Sequence, residues 1–201
     1  VAGRRNAATM SGYLRAESTV PLLLAAFNDQ SDPQTRWLAV EAVGKIGDRG
    51  ILAGVPAKRR EKPAVIALDP AVVAAVEEKL KDPSPDVRMF AVSALGKIGG
   101  PGSVPALVAL ARPSGQALVQ PSLKKNVVRS LGKIGGKEAS EAVRTFLSDP
   151  DPNLRALAAE TLAALKDSGA VPVLKPLLAD PSPAVRSAAA FALGELGGKD
   201  D

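Results

Sequence analysis

The chain has 201 residues and a formal net charge of +5, and it contains neither cysteine nor histidine. Without these two residue types it can form no disulfide, offers no thiolate nucleophile and lacks the usual ligands of a zinc site. No stretch approaches the roughly 20 consecutive apolar residues that cross a bilayer, so we predict no membrane span. These features do not determine the cellular compartment, and we favour a soluble, cytoplasmic protein.

Residues 1–15 have the pattern of the second helix of a two-helix repeat, without that repeat's first helix. The pattern is complete around Arg36, which we take as position zero. Apolar or small residues lie at −1, +3, +6, +7 and +10, and glycine lies at +8 and +11. These apolar offsets share one side of a 3.6-residue helix, which indicates an amphipathic helix. Because the chain starts inside a repeat, we expect it to come from a longer protein.

The same pattern returns along the chain. Its clearest copy spans residues 82–99, and the zero positions are 4, 36, 88, 124, 155 and 186. A fixed period of about 31 residues indicates a stacked array in which each unit contacts its neighbours. After the half repeat at 1–15, the predicted repeats span about 18–47, 69–99, 102–135, 137–166 and 168–197.

Each repeat also contains a shorter apolar segment before the second helix, so we predict helix pairs. The turn between the two helices reads Asp-Pro-x-Pro in three repeats, beginning at Asp82, Asp149 and Asp180. Ser or Asp followed by Pro is typical of a helix N-cap and first turn. Glycine at +11 predicts a left-handed C-cap.

Two insertions interrupt the period. The longer one, 48–68, carries the basic run Lys-Arg-Arg-Glu-Lys at 58–62, and the shorter one lies around 113–120. A loop of this length is either functional or disordered. We leave open whether the 48–68 insertion is a solvated loop or a charged contact loop. We expect residues 197–201 to be a frayed tail.

The motif Asp-Pro-x-Pro-x-Val-Arg-x-x-Ala-x-x-Ala-Leu-Gly-x-Ile-Gly resembles the HEAT-like repeats first described in phycocyanobilin lyases. The resemblance covers nearly the whole chain. It implies an all-α fold, a right-handed α-solenoid of stacked antiparallel helix pairs, with five pairs after the half repeat. It implies little about function, because this repeat occurs in proteins with unrelated roles.

The repeated arginine follows the turn aspartate by six residues and lies at the edge of the buried stripe. An arginine fork can satisfy carbonyl groups or a carboxylate in stacked turns. We therefore expect a structural ladder that links adjacent repeats, rather than a binding site. Its predicted members are Arg36, Asp82, Arg88, Asp149, Arg155, Asp180 and Arg186.

Offsets +1, +5 and +9 point away from the buried stripe, and we call these positions the +1/+5/+9 face. The resemblance implies that the second helices line the concave side of the array, so this face is the candidate partner-binding surface. It combines a basic stripe with aromatic and methionine anchors. The candidate residues are Trp37, Glu41, Lys45, Met89, Ser93, Lys97, Lys125, Arg129 and Lys133.

Three functions remain open. The favoured one is a non-catalytic scaffold that binds a protein or peptide, possibly acidic, because residues 1–136 carry 19 basic and 11 acidic residues. An enzyme or chromophore chaperone like the phycobilin lyases is the alternative. A nucleic-acid-binding module is the third, although one Trp and one Tyr make a poor stacking platform. We assign no catalytic residue, cofactor or metal. The histidine-dependent deoxyhypusine hydroxylases are excluded.

Overall fold

The structure, a computed structural model, describes residues 2–14, 17–47, 68–112 and 120–197. Within these stretches all regular secondary structure is helical. The predicted 48–68 insertion, apart from Leu68, the core of the 113–120 insertion and the tail after residue 197 lie outside the described residues. No helix in the described stretches is long and apolar enough to cross a membrane.

The chain divides into two compact units, residues 1–99 and 100–201. Unit 1 contains α1 (Ala2–Leu14), α2 (Val20–Ala26), α3 (Pro33–Ile46), α4 (Pro70–Glu78) and α5 (Pro85–Ile98). Unit 2 contains α6 (Val104–Ala111), α7 (Pro121–Ile134), α8 (Gly136–Arg144), α9 (Pro152–Ala164), α10 (Val171–Leu174) and α11 (Pro183–Gly197). The odd-numbered helices are the second helices of the repeat pattern, and the even-numbered ones are the first helices.

Proline sets the start of every second helix from α3 onward, because its missing N–H would have no intrahelical partner there. An aspartate lies in the turn before four of these five helices, and Gln120 precedes α7 instead. Asp82 accepts a hydrogen bond from the Ser84 backbone N–H at 2.9 Å, and Asp180 accepts one from Ser182 at 2.8 Å. Three of the first helices end in 3-10 turns before this point. These turns are Lys79–Lys81, Thr145–Ser148 and Lys175–Ala179.

The buried stripe of the second helices forms much of each unit's core. In α3 the five stripe positions are all buried: Thr35, Ala39, Ala42, Val43 and Ile46. The first helices add a leucine or valine at their centre, and Leu23, Val76, Leu107, Val143 and Leu174 are all at most 3 % exposed. Small and branched side chains therefore fill the core, which suits closely stacked helices.

Glycine at +8 allows neighbouring second helices to touch. A Cβ added to Gly44 would lie 2.9 Å from Ala94 Cβ, and one added to Gly12 would lie 2.9 Å from Ala42 Cα. In unit 2 the equivalent atom on Gly132 would lie 2.8 Å from Thr161 Cγ2. The +8 glycine of one helix therefore packs against the +6 residue of the next.

The predicted left-handed C-cap at +11 is wrong for Gly47 and Gly99, whose φ angles are −84° and −71°. Gly47 is needed for space instead, since an added Cβ would overlap Ile98. The prediction is correct for Gly135, at φ 69°. Lys166 occupies the same offset in the next repeat and also adopts a positive φ, 57°.

Candidate protein-interaction site

The repeated arginine joins neighbouring helix pairs in unit 1. Arg36 donates from Nε and Nη2 to the carboxylate of Asp82, at 2.9 and 3.1 Å, and from Nη1 to the carbonyl of Asp29 at 2.7 Å. The two paired side chains are only 5 % and 6 % exposed. Arg36 therefore connects α3 both to the turn before it and to the turn before α5.

Unit 2 repeats this arrangement twice. Arg155 donates from Nε and Nη2 to Asp180 at 2.9 and 2.8 Å, and from Nη1 to the carbonyl of Asp149 at 2.9 Å. Lys124 stands at the zero position of α7 and forms a single contact of 2.7 Å with Asp149. Lysine can replace arginine here, but it makes one hydrogen bond where the arginine fork makes two.

The two remaining members of the predicted ladder bind their own turns. Arg88 donates from Nη1 to the carbonyls of Asp82 and Pro83, at 2.7 and 2.9 Å. Arg186 makes the same two contacts with Asp180 and Pro181, at 2.9 and 3.1 Å. Each of these arginines holds the turn that precedes its helix.

A second set of ion pairs starts at offset +1, and the repeat pattern alone does not predict these pairs. Arg5 donates to both carboxylate oxygens of Asp32, at 2.8 and 2.7 Å. Lys125 lies 3.6 Å from Asp151 in the same way. Both aspartates are helix N-caps, so an acidic N-cap was the available signal. Lys125, a candidate for partner binding, is thus engaged within its own unit.

These contacts change the acidity of the turn carboxylates. Hydrogen bonds from Arg5 and from Thr35 hold the pKa of Asp32 well below its usual range. The hydrogen bond from Arg155 likewise lowers the pKa of Asp180. Burial alone would raise the pKa of Asp82, but hydrogen bonds from Arg36 and the Ser84 backbone outweigh it and the pKa is lowered.

The +1/+5/+9 face of unit 1 is half-buried at its six candidate residues. These are Trp37, Glu41 and Lys45 on α3, and Met89, Ser93 and Lys97 on α5. The Trp37 ring stacks on Phe90, with centroids 4.5 Å apart and planes 13° from parallel. Lys45 lies 3.1 Å from Glu41. Trp37 is therefore packed against a neighbour and still partly open to solvent.

The lysine stems of unit 1 lie over the close glycine contacts. Lys45 Cδ is 3.3 Å from where a Gly12 Cβ would be, and Lys97 Cδ is 3.8 Å from the same point at Gly44. Each stem thus runs across the preceding second helix. This packing restricts the stems while leaving the side chains half-exposed.

In unit 2 the +1/+5/+9 face is more exposed to solvent. Arg129 and Lys133 are exposed on α7, one helical turn apart. The next second helix, α9, carries Glu160 and Ala164 at the same offsets, and α11 carries Phe191, which is 57 % exposed. The nine candidate residues therefore fall into two groups, six in unit 1 and three in unit 2.

The described residues contain no group of acidic side chains that could hold a metal ion. Glu41 is paired with Lys45, and Glu160 is exposed on α9 and forms no ion pair with the described residues.

Residues 64–121 and 115–194 match the family model for HEAT repeats, and the two matches together cover well over half of the chain. The chain belongs to the HEAT-repeat family. Its fold class is the all-α solenoid of that family, as the resemblance predicted. No curated protein sequence matches this HEAT-repeat chain.

Solved structures agree with this fold. The complex of CpcE and CpcF of phycocyanin lyase from Nostoc sp. PCC7120 is 25% identical, with a TM-score of 0.59 over 96% of this HEAT-repeat chain and 71% of that chain. Human deoxyhypusine hydroxylase is 22% identical, with a TM-score of 0.53 over 98% and 80%. A designed armadillo repeat protein in complex with the peptide (KR)4 is 17% identical, with a TM-score of 0.58 over 96% and 91%. The last two likenesses concern the fold alone.

Proposed function

We propose that this HEAT-repeat chain is a non-catalytic scaffold that binds an acidic protein or peptide segment on its +1/+5/+9 face. The observation that supports this most directly is the surface of unit 1. Its Trp37–Phe90 stack and lysine stems are already packed against neighbouring helices. A partner that binds them loses little side-chain entropy, and such preorganisation favours binding.

The charge of the face favours an acidic partner. Lys45 and Lys97 lie on neighbouring helices of unit 1, and Arg129 and Lys133 lie on α7 of unit 2. The chain as a whole carries +5. Such cations increase the rate of association with an acidic partner and select against basic ones. An aromatic residue beside them can supply the apolar anchor that interaction hot spots typically contain.

Catalysis is not part of this proposal, because the face offers no matched acid and base. General acid–base catalysis needs a titratable group within hydrogen-bond reach of the proton that it transfers, often oriented by a second group. The face has Glu41, which pairs with a lysine, and the isolated Glu160.

Trp37 is the single tryptophan of the chain, so its fluorescence gives a direct test in unit 1. The protein is titrated with a set of synthetic peptides rich in Asp and Glu, and with a matched set rich in Lys. We expect saturable changes in Trp37 emission with acidic peptides alone. The double variant Lys45→Gln/Lys97→Gln keeps most of each stem, and it should weaken binding about tenfold, or roughly 1.4 kcal/mol.

The matched control removes the same charge elsewhere. Lys137→Gln/Lys175→Gln changes two exposed lysines on the first-helix side of unit 2 and should leave the affinity unchanged. If both double variants bind acidic peptides as tightly as the original chain, the lysines of unit 1 are not the binding site. Circular dichroism of each variant confirms that the comparison is made between folded proteins.

A lyase-like role is the alternative, and one observation favours it. The phycocyanin lyase complex is 25% identical over 96% of this chain. Incubation with a bilin and an apo-phycobiliprotein tests the alternative through the absorbance of the attached chromophore. Chromophore attachment above the uncatalysed rate would replace the scaffold proposal. Binding of duplex DNA at low salt, weakening steeply with added salt, would instead favour the nucleic-acid alternative.

A further inference from the structure

The +1/+5/+9 face of unit 1 has a different chemistry at each of its two ends. Helices α3 and α5 run parallel, since Trp37 meets Phe90 near their starts and Gly47 meets Ile98 near their ends. The large apolar side chains of the face therefore lie together at offset +1, and its lysines lie together at offset +9. We call these the apolar end (Trp37 and Met89) and the basic end (Lys45 and Lys97).

The apolar end offers a half-buried hydrophobic surface. Trp37 and Met89 are both half-buried, and the stack of Trp37 on Phe90 holds the indole ring in place. The residue at +1 of α1 is Arg5, whose guanidinium donates to both carboxylate oxygens of Asp32. Its charge is thus matched within the unit. This end can therefore take a large apolar side chain of a partner.

The basic end carries more positive than negative charge. Lys45 lies 3.1 Å from Glu41, which is the one acidic residue that α3 and α5 contribute to the face. Lys97 adds a second cation, and its stem lies over α3, with Cδ 3.8 Å from where a Gly44 Cβ would be. Two lysines against one glutamate keep this end attractive to a carboxylate of the partner.

The distance between the two ends sets the spacing in the partner. Offsets +1 and +9 are eight residues apart on a helix, which is about 12 Å. An extended segment covers about 13 Å in four residues, and side chains four residues apart point to the same side. The close contact of Gly44 with Ala94 leaves a narrow furrow between α3 and α5, which suits an extended segment better than a helix about 10–12 Å wide.

We propose that unit 1 recognises an extended partner segment in which a large apolar residue and an acidic residue are four positions apart. The apolar side chain contacts Trp37 and Met89, and the carboxylate contacts Lys45 and Lys97. This inference rests on the proposed function, and it adds a second recognition element and a fixed spacing to it. A segment that is acidic but lacks the apolar residue uses only half of this surface.

Three synthetic peptides test the spacing. Each has one Leu and one Glu in the same uncharged polar background, separated by one, four or eight residues, and each is titrated into the full chain labelled with ¹⁵N. We expect the spacing of four to bind at least roughly threefold more tightly than the other two, with shifts of the amide resonances of Trp37 and Lys97. Lys45→Gln/Lys97→Gln should abolish this preference, and the control Lys137→Gln/Lys175→Gln should keep it.

The outcomes separate this inference from the proposed function. Equal binding of the three peptides overturns the inference alone, provided that peptides rich in Asp and Glu still lose affinity in Lys45→Gln/Lys97→Gln. Tightest binding at a spacing of eight also overturns it, because that spacing matches a helical segment. If the peptides rich in Asp and Glu do not bind at all, the proposed function fails as well.

Discussion

The two units use the same internal contacts and carry different surfaces. In unit 1 the Arg36–Asp82 pair is almost completely buried, at 5 % and 6 % exposure, while in unit 2 Arg155 is 15 % exposed in the equivalent pair with Asp180. Both units bring a +8 glycine onto the next second helix. The shared ion pairs and glycine contacts therefore define how neighbouring pairs stack, and they leave the outward positions free to vary.

The outward positions do vary. Unit 1 has Trp37 at +1 of its middle second helix, where unit 2 has Ala156. The larger side chain reaches Phe90 on the next helix and forms the aromatic stack. The unit 1 candidates are all half-buried, whereas Arg129 and Lys133 of unit 2 are exposed. The candidate side chains of unit 1 are therefore more closely packed than Arg129 and Lys133 of unit 2.

The largest effect should come from breaking the buried pair of unit 1. Arg36→Met leaves the Asp82 carboxylate buried without its partner, which typically costs about 3–5 kcal/mol. The free energy of unfolding can be measured by urea titration. Trp37 fluorescence reports on unit 1, while circular dichroism reports on the helices of both units.

The control for this variant is Arg88→Met. Within the described residues, the hydrogen bonds of Arg88 go to two carbonyls of its own turn, so we expect a loss of about 1.5–3 kcal/mol, which is usual for hydrogen bonds from a charged group. Equal losses for the two variants would show that the ion pair between Arg36 and Asp82 adds nothing to the free energy of unfolding. The arginine would then act within its own repeat alone.

The glycine contact should give the next largest effect. Gly44→Ala puts a methyl group 2.9 Å from Ala94 Cβ, which forces α3 and α5 apart at a cost of about 1–3 kcal/mol. Gly194→Ala is the matched change at +8 of α11, where an added Cβ meets nothing within 4 Å. Because alanine favours a helix over glycine, it should stabilise the protein by about 0.5–1 kcal/mol. Changes of the same sign in a thermal unfolding comparison would contradict the close-packing explanation.

Much of the architecture can be predicted from the repeat pattern alone. The position of the second helices, their start at proline and their buried stripe follow from a period that is visible in one chain. The pairing of Lys125 with Asp151 and the stack of Trp37 on Phe90 do not. These contacts depend on how far one helix is shifted against the next, and a linear period carries no such information.

The +11 glycines show the same limit on what the sequence can predict. Glycine is compatible with a left-handed cap and equally with a tight contact, so the residue type cannot distinguish Gly135 from Gly47. The backbone angles do so, at φ 69° and −84°. Likewise, the sequence predicts which residues make up the +1/+5/+9 face. The degree to which each is packed depends on the neighbouring helix.

Acid should weaken the ion pairs of both units. The pKa of Asp180 is lowered in the folded protein by its hydrogen bond from Arg155. Its contribution to stability is therefore present above the unfolded-state value of about 3.9, and it is lost as the pH falls through the lower folded-state pKa. Asp180→Asn should be less stable than the original chain at pH 7, and the two stabilities should converge as the pH falls below about 4.

Urea midpoints measured between pH 7 and pH 2 provide the check. Glu160→Gln is the control, because Glu160 is exposed and forms no ion pair with the described residues. Its stability curve should run parallel to that of the original chain. If the Asp180→Asn curve also runs parallel, protonation of Asp180 makes no contribution to acid unfolding.

The smallest effect is expected at Lys166, where unit 2 departs from the glycine of the repeat. Its φ of 57° is unfavourable for a residue with a Cβ, and glycine adopts it freely. Lys166→Gly should therefore stabilise the protein by about 0.5–1 kcal/mol. The change also removes a 3.3 Å contact with Glu195, but both side chains are largely exposed, at 71 % and 48 %, and such surface pairs contribute little.

Gly135→Ala is the reciprocal change, since Gly135 has φ 69° one repeat earlier. It should destabilise the protein by about 1 kcal/mol. Thermal unfolding of the two variants gives the comparison directly, with a rise in Tm for one and a fall for the other. A fall in both would mean that the Lys166 contact with Glu195 outweighs the backbone strain. The C-terminal ends of α7 and α9 would then be stabilised by different interactions despite their shared geometry.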